Sequence, residues 1–233
     1  GVLAITNGAT FKVDGGQSIS LDQANTFSSA VTFVPLSGTI TAVTIRDSTA
    51  LELQALTTTG DLTVTAGGAV TQSGTLVIPG TTTISAVNGS SVKQDVTLGD
   101  SSNNFGTLAI TGADVTARDT NAIVLGASTV SGTYAVTAGD AVTQTGALAI
   151  TGATTISASG HNVTLNTATN NFQGAVGITG ATVAVVDAGA IDLGASVVSG
   201  TYTVTATAGG GITNTGVLAI TNGATFKVDG GQS

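Results

Sequence analysis

The sequence predicts an all-β protein, a parallel β-helix (β-solenoid) in which the chain winds into stacked coils. Three observations lead there. One text recurs three times along the 233-residue chain and then starts again. Short segments such as Leu62-Thr-Val64-Thr and Val163-Thr-Leu165 alternate apolar and polar residues, the period of a half-buried strand. Composition removes the helical alternative, since charged residues are only 8% and Glu52 is the sole Glu. Exposed helix faces are normally built from Glu, Lys, Arg and Gln.

The repetition is letter-perfect over one stretch. "GVLAITNGATFKVDGGQS" occupies positions 1–18 and again 216–233, so one period spans positions 1–215. Three related copies fill that period, 1–73, 74–145 and 146–215, and 216–233 opens the next one. The expectation is one continuous solenoid segment over 1–233, a window on a longer regular array. Stacked repeats of this kind share their core with their neighbours and are not stable singly.

Taken in chain order, each copy supplies the same elements. "SISLDQANTF", "DVTLGDSSNNF" and "NVTLNTATNNF" bring Phe27, Phe105 and Phe172 to one equivalent position. "RDSTALEL", "RDTNAIVL" and "VDAGAIDL" then align Asp47, Asp119 and Asp187, followed by Leu53, Leu125 and Leu193. "LTVTA", "YAVTA" and "YTVTA" align Val64, Val136 and Val204. The aliphatic and Phe positions are expected inside, and each Asp is expected to cap a turn by accepting backbone N–H groups. Asn104 and Asn171, before their Phe residues, are expected at left-handed turn positions. Each copy divides again into units of roughly 19 to 27 residues, a common size for one solenoid repeat. That division predicts about nine coils per period. Gly, Asn, Ser and Asp cluster between the strands, as turns require. A string of small β-sandwiches is the competing architecture. Sandwiches commonly anchor their cores with Trp, and this chain has none.

Net charge is −8, and the cations Lys12, Arg46, Lys93, Arg118 and Lys227 are scattered. That pattern excludes a phosphate-neutralising surface and an anionic-membrane patch. No apolar run is long enough for a membrane helix. Cys is absent, so no disulfide framework and no Cys-ligated metal exist. His161 is the single His and stands in a turn, "SGHNVT", without equivalents in the other copies. A Ser-His-Asp constellation, zinc spacing and phosphate-binding glycine motifs are all missing. Catalytic, cofactor and metal residues are therefore expected to be none. The three Asp positions recur once per copy, roughly 14 Å apart along a stack of coils, too far for one calcium ion.

The segments "NVTLNTATNNFQGAVGITGATVAVVDAGAIDLGAS" and "GTYTVTA" with "GITNTGVLAITNGAT" resemble the repeat regions of bacterial filamentous-haemagglutinin-like exoproteins. The resemblance covers essentially the whole chain. It implies a right-handed β-helical stem, export across two membranes, and display on the cell surface. Function is then expected to be structural and non-enzymatic: a segment of a long extracellular fibre or adhesin stalk. The expected partners are copies of itself, end to end and laterally, with surface glycans or host receptors as targets. An alternative is a binding module whose Thr arrays meet a glycan or ice. It requires Thr-x-Thr on one outward face in successive coils, whereas the motifs drift from strand to strand along the text.

Overall fold

A computed structural model describes residues 1–207 and 209–230; the last letters of the closing copy, 231–233, lie outside the described residues. The described chain is all-β, without helix, and its parallel strands stack as a β-solenoid of about 11 turns. It divides into two compact units, Gly1–Asp119 and Thr120–Ser233.

Unit 1 opens with Ala4–Ile5 (β1), Ala9–Val13 (β2), Ile19–Phe27 (β3) and Val31–Pro35 (β4). It continues with Val43–Asp47 (β5), Leu51–Leu53 (β6), Leu56–Thr57 (β7), Leu62–Ala66 (β8) and Val70–Gln72 (β9). Leu76–Ala86 (β10), Val96–Leu98 (β11), Asn104–Gly112 (β12) and Val115–Asp119 (β13) complete it. Two parallel rows result, β1-β3-β5-β8-β10-β12 and β2-β4-β6-β9-β11-β13, with β7 on β10. Register makes the interior continuous: Ile45 pairs with Val64, Val64 with Ile84, and Ile84 with Ile110. All four are at most 1% exposed, so one column of branched aliphatics runs through successive coils. The step from Ile84 to Ile110 is longer than the step from Val64 to Ile84, because the loop containing "VNGSSVKQ" swells that coil outside the core.

Unit 2 contains Ile123–Leu125 (β14), Ser128–Val130 (β15), Tyr134–Ala138 (β16), Val142–Gln144 (β17), Leu148–Ile150 (β18) and Thr154–Ser157 (β19). Next come Val163–Leu165 (β20), Asn171–Phe172 (β21), Val176–Gly180 (β22), Val183–Asp187 (β23) and Ile191–Leu193 (β24). Ser196–Val198 (β25), Tyr202–Ala206 (β26), Ile212–Asn214 (β27), Leu218–Ile220 (β28) and Ala224–Val228 (β29) end it. Each coil here has three sides. One row is β14-β17-β20-β23-β26-β29 and another is β16-β19-β22-β25-β28. A third row is β15-β18-β21, and the pair β24-β27 joins β22 where Leu193 meets Val176.

Coils are shorter than the sequence suggested, hence about 11 turns over the described chain where about nine per period were expected. Ile123 pairs with Val142 and Tyr134 with Thr154, steps at the short end of the expected range. Strands of mostly three to five residues are joined by corners as tight as the two residues between Leu125 and Ser128. Repeat and coil are also out of phase. β16 and β26 occupy the same place in successive copies, yet they lie in different rows of unit 2, as do β18 and β28. One copy therefore advances three coils plus one side.

Candidate functional site

The expected core residues Phe27, Phe105, Phe172, Leu53, Leu125, Leu193, Val64, Val136 and Val204 all lie inside, at most 2% exposed. The polar residues among them are the more informative. Asp47, Asp119 and Asp187 are buried, at 1%, 4% and 0% exposure. A buried carboxylate is costly unless hydrogen bonds satisfy it. Each one accepts the backbone N–H of the equivalent Phe on the preceding coil: Phe27 to Asp47 at 3.1 Å, Phe105 to Asp119 at 2.6 Å, Phe172 to Asp187 at 2.8 Å. Asp47 also accepts the N–H and hydroxyl of Thr49, both at 2.8 Å, and Asp187 the N–H of Gly189 at 2.9 Å. Asp47 and Asp187 thus cap their own turns, and all three Asp residues bridge coils. Burial raises the Asp187 carboxyl above the usual aspartate range, opposed by the N–H donors of Phe172, Gly189 and Ala188.

Two residues before each Phe stands a buried Asn that sequence reasoning missed: Asn25, Asn103 and Asn170, none more than 1% exposed. Asn170 Oδ1 accepts the N–H of Leu148 at 3.0 Å and of Gln144 Nε2 at 2.8 Å. Its Nδ2 donates to Gln144 Oε1 at 2.9 Å, Leu165 O at 3.2 Å and Val186 O at 3.1 Å. Asn103 repeats this with Leu76, Gln72 and Leu98. Asn25 does so with Leu3, Leu21 and Arg46. The amides of Asn25 and Asn170 therefore tie three successive coils and that of Asn103 ties two, and the carboxylate beside each adds a further bond between coils. Asn-x-Phe recurs in all three copies, but the recurrence does not say whether its amide is buried. Asn104 and Asn171 are ordinary strand residues; among the described residues, the one non-glycine with positive φ is Ser91.

Elsewhere the chemistry is sparse. His161 Nδ1 lies 2.8 Å from Asp140 Oδ1, with both side chains substantially exposed. The hydroxyls of Tyr134 and Tyr202 are buried facing Ser128 and Ser196; burial pushes Tyr202 up to about 12 and raises Tyr134 as well. A depression of about 370 Å³ over Phe27, Ser28, Thr49 and Thr71 contains Glu52 as its single ionisable group. No group of three His, Cys, Asp or Glu able to hold a metal occurs among the described residues. No helix among them is long and apolar enough to cross a membrane, which says nothing of β-barrels.

Outward-facing residues are ordered in unit 1. Ser20, Thr44, Thr63 and Thr83 stand in register on consecutive strands of one row, and Thr65, Ser85 and Thr111 follow beside them. The expected drift of the Thr motifs is corrected there, because the coil lengths between them bring the strands back into line.

A model of a family described as repeats of unknown function (DUF5649) matches residues 40–111, 112–179 and 180–233. The chain belongs to this family. No curated protein and no solved structure matches it. The family's boundaries give a meaning to this bracket, the buried Asn and Asp whose hydrogen bonds flank each Phe. Asn103 and Phe105 lie in the first matched repeat while Asp119 lies in the second. Asn170 and Phe172 lie in the second while Asp187 lies in the third. In both cases the Phe-to-Asp hydrogen bond crosses a repeat boundary.

Proposed function

We propose that this chain is a structural repeat segment of a long extracellular bacterial fibre or adhesin stalk, associating with copies of itself through solenoid stacking and lateral packing. It is not an enzyme in this reading. The observation that carries it is the bracket at the repeat boundaries. The polar groups that define the repeat are turned inward, where they join one repeat to the next. Side chains committed to buried backbone groups in this way are unavailable to a substrate. A surface poor in charge supports lateral packing, since little electrostatic repulsion opposes it. The resemblance to filamentous-haemagglutinin-like exoproteins supports the surface location. Negative-stain electron microscopy of the concentrated chain tests the reading. Filaments one or a few solenoids wide are expected; isolated particles at every concentration would overturn it.

The hydroxyl ladder of unit 1 supports a second reading, a flat array that binds a glycan or ice. Rungs about 4.8 Å apart give a regular lattice of hydroxyls and methyls. Replacing Thr63 and Thr83 with Lys should then abolish retention on crystalline polysaccharide or freezing hysteresis. Unchanged binding or hysteresis in that double variant would remove the reading.

A further inference from the structure

We propose that the cleft between the outer loop 87–93 and the strand row of unit 1 holds a carboxylate of a uronate-containing polysaccharide. Arg46 is the partner of that carboxylate, and the hydroxyl ladder carries the sugars that follow. The inference rests on the glycan reading of the ladder and adds the class of glycan.

Register puts one cation in the ladder. Arg46 on β5 pairs with Thr65 on β8, Thr65 with Ser85 on β10, and Ser85 with Thr111 on β12. Four consecutive strands thus present Arg, Thr, Ser and Thr in one outward column. Strand alternation turns the flanking Ile45 and Asp47 inward. The Arg46 side chain is exposed and has no ion pair or hydrogen bond among the described residues. Asp47 cannot neutralise it, because that carboxylate is buried and accepts the N–H groups of Phe27 and Thr49.

A free arginine on a strand is ordinary; the cleft beside this one is not. Val87 and Lys93 pair antiparallel across the base of the outer loop. Asn88 N donates to Val92 O at 2.9 Å, and Gln94 N to Ala86 O at 2.8 Å. Asn88 Oδ1 accepts the N–H groups of Ser90 at 3.0 Å and Val92 at 2.9 Å. The loop is therefore shaped by its own bonds before any ligand arrives, which lowers the cost of binding. About 240 Å³ separates it from the strands, with Arg46, Ser48 and Thr65 on the strand side and Asn88 and Gly89 on the loop side. Asn88 Nδ2 has no acceptor among the described residues, so it remains a donor. Lys93, opposite Val87, places a second of the chain's five cations at the base of the same loop.

These groups select the ligand. A guanidinium offers a planar fork that meets a carboxylate through two hydrogen bonds. Ser and Thr hydroxyls and a free amide both suit sugar hydroxyls, since they donate and accept as needed. A uronate carries the carboxylate and the hydroxyls together. A nucleic acid would need many clustered cations for its phosphates, and this surface has two.

The test measures retention of the full chain on immobilised polygalacturonate and alginate. Both should hold the wild type. Methyl-esterified polygalacturonate keeps the sugar and linkage but loses the charge, and should bind about tenfold or more weakly. Arg46→Gln should lose as much on the free acid while melting like the wild type, since the backbone oxygen that Asn25 uses is retained. Arg118→Gln, at the equivalent position of the next copy, should bind normally; an equal loss there would show a diffuse charge effect and overturn the cleft. Polyglutamate bound as tightly as the uronates would overturn the glycan. Ester and acid held equally, with Arg46→Gln unchanged, would overturn the carboxylate and leave the hydroxyl array standing. Retention on crystalline polysaccharide but on neither uronate would do the same.

Discussion

At the scale of single residues, Asp187 shows how a buried charge is made tolerable and useful. Its carboxylate sits at 0% exposure and is satisfied by N–H donors of Phe172 and Gly189. Asp187→Ala leaves those donors unpaired and should cost about 1–3 kcal/mol in denaturant melts. The pH dependence has a definite sign. The folded-state pKa is raised by burial. Its contribution to stability is therefore full below about pH 3.9, the unfolded value, and is lost as pH rises through the folded value. Measured against Asp187→Asn, the wild type should gain stability as pH falls from neutral; a gain on raising the pH would contradict the burial argument. Phe105→Ala should cost about 3–5 kcal/mol, because the ring is 1% exposed in a narrow core that cannot collapse onto the gap. The Phe and aliphatic positions were legible in the sequence because burial imposes a simple period-two pattern. Asn103 and Asn170 were not, since a buried amide and an exposed turn amide are spelled alike. Only the coils above and below distinguish them.

Strands and corners set the coil length, and corners leave no room for error. A Cβ on Gly152 would stand 2.3 Å from the carbonyl oxygen of Gly132 in the neighbouring coil, a backbone atom that cannot step aside. Gly89, in the outer loop of unit 1, has nothing within 4 Å. Thermal melting should therefore separate Gly152→Ala, strongly destabilised, from Gly89→Ala, within about 0.5 kcal/mol of wild type. Equal effects would mean that corner spacing does not limit the stack. Strand existence and turn composition were readable along the whole chain. Coil length was not, because short and long corners contain the same Gly, Asn and Ser. That ambiguity also concealed the Thr ladder, whose alignment depends on the sum of strand and corner lengths from Thr44 to Thr63 to Thr83.

On the scale of the molecule, the coils within each unit share an aliphatic interior and are pinned across repeat boundaries by buried Asn and Asp side chains. The family model establishes the repeat, and the register within each unit establishes the stacking. Repeat and coil differ in length by one side per copy in unit 2, which the text alone could not show, since equivalent letters look alike whichever side they occupy. X-ray diffraction from aligned, concentrated protein tests the central claim most directly. Parallel coils stacked along an axis predict a sharp meridional reflection at about 4.8 Å. A pattern without that meridional reflection, as separate globules on tethers would give, would contradict it.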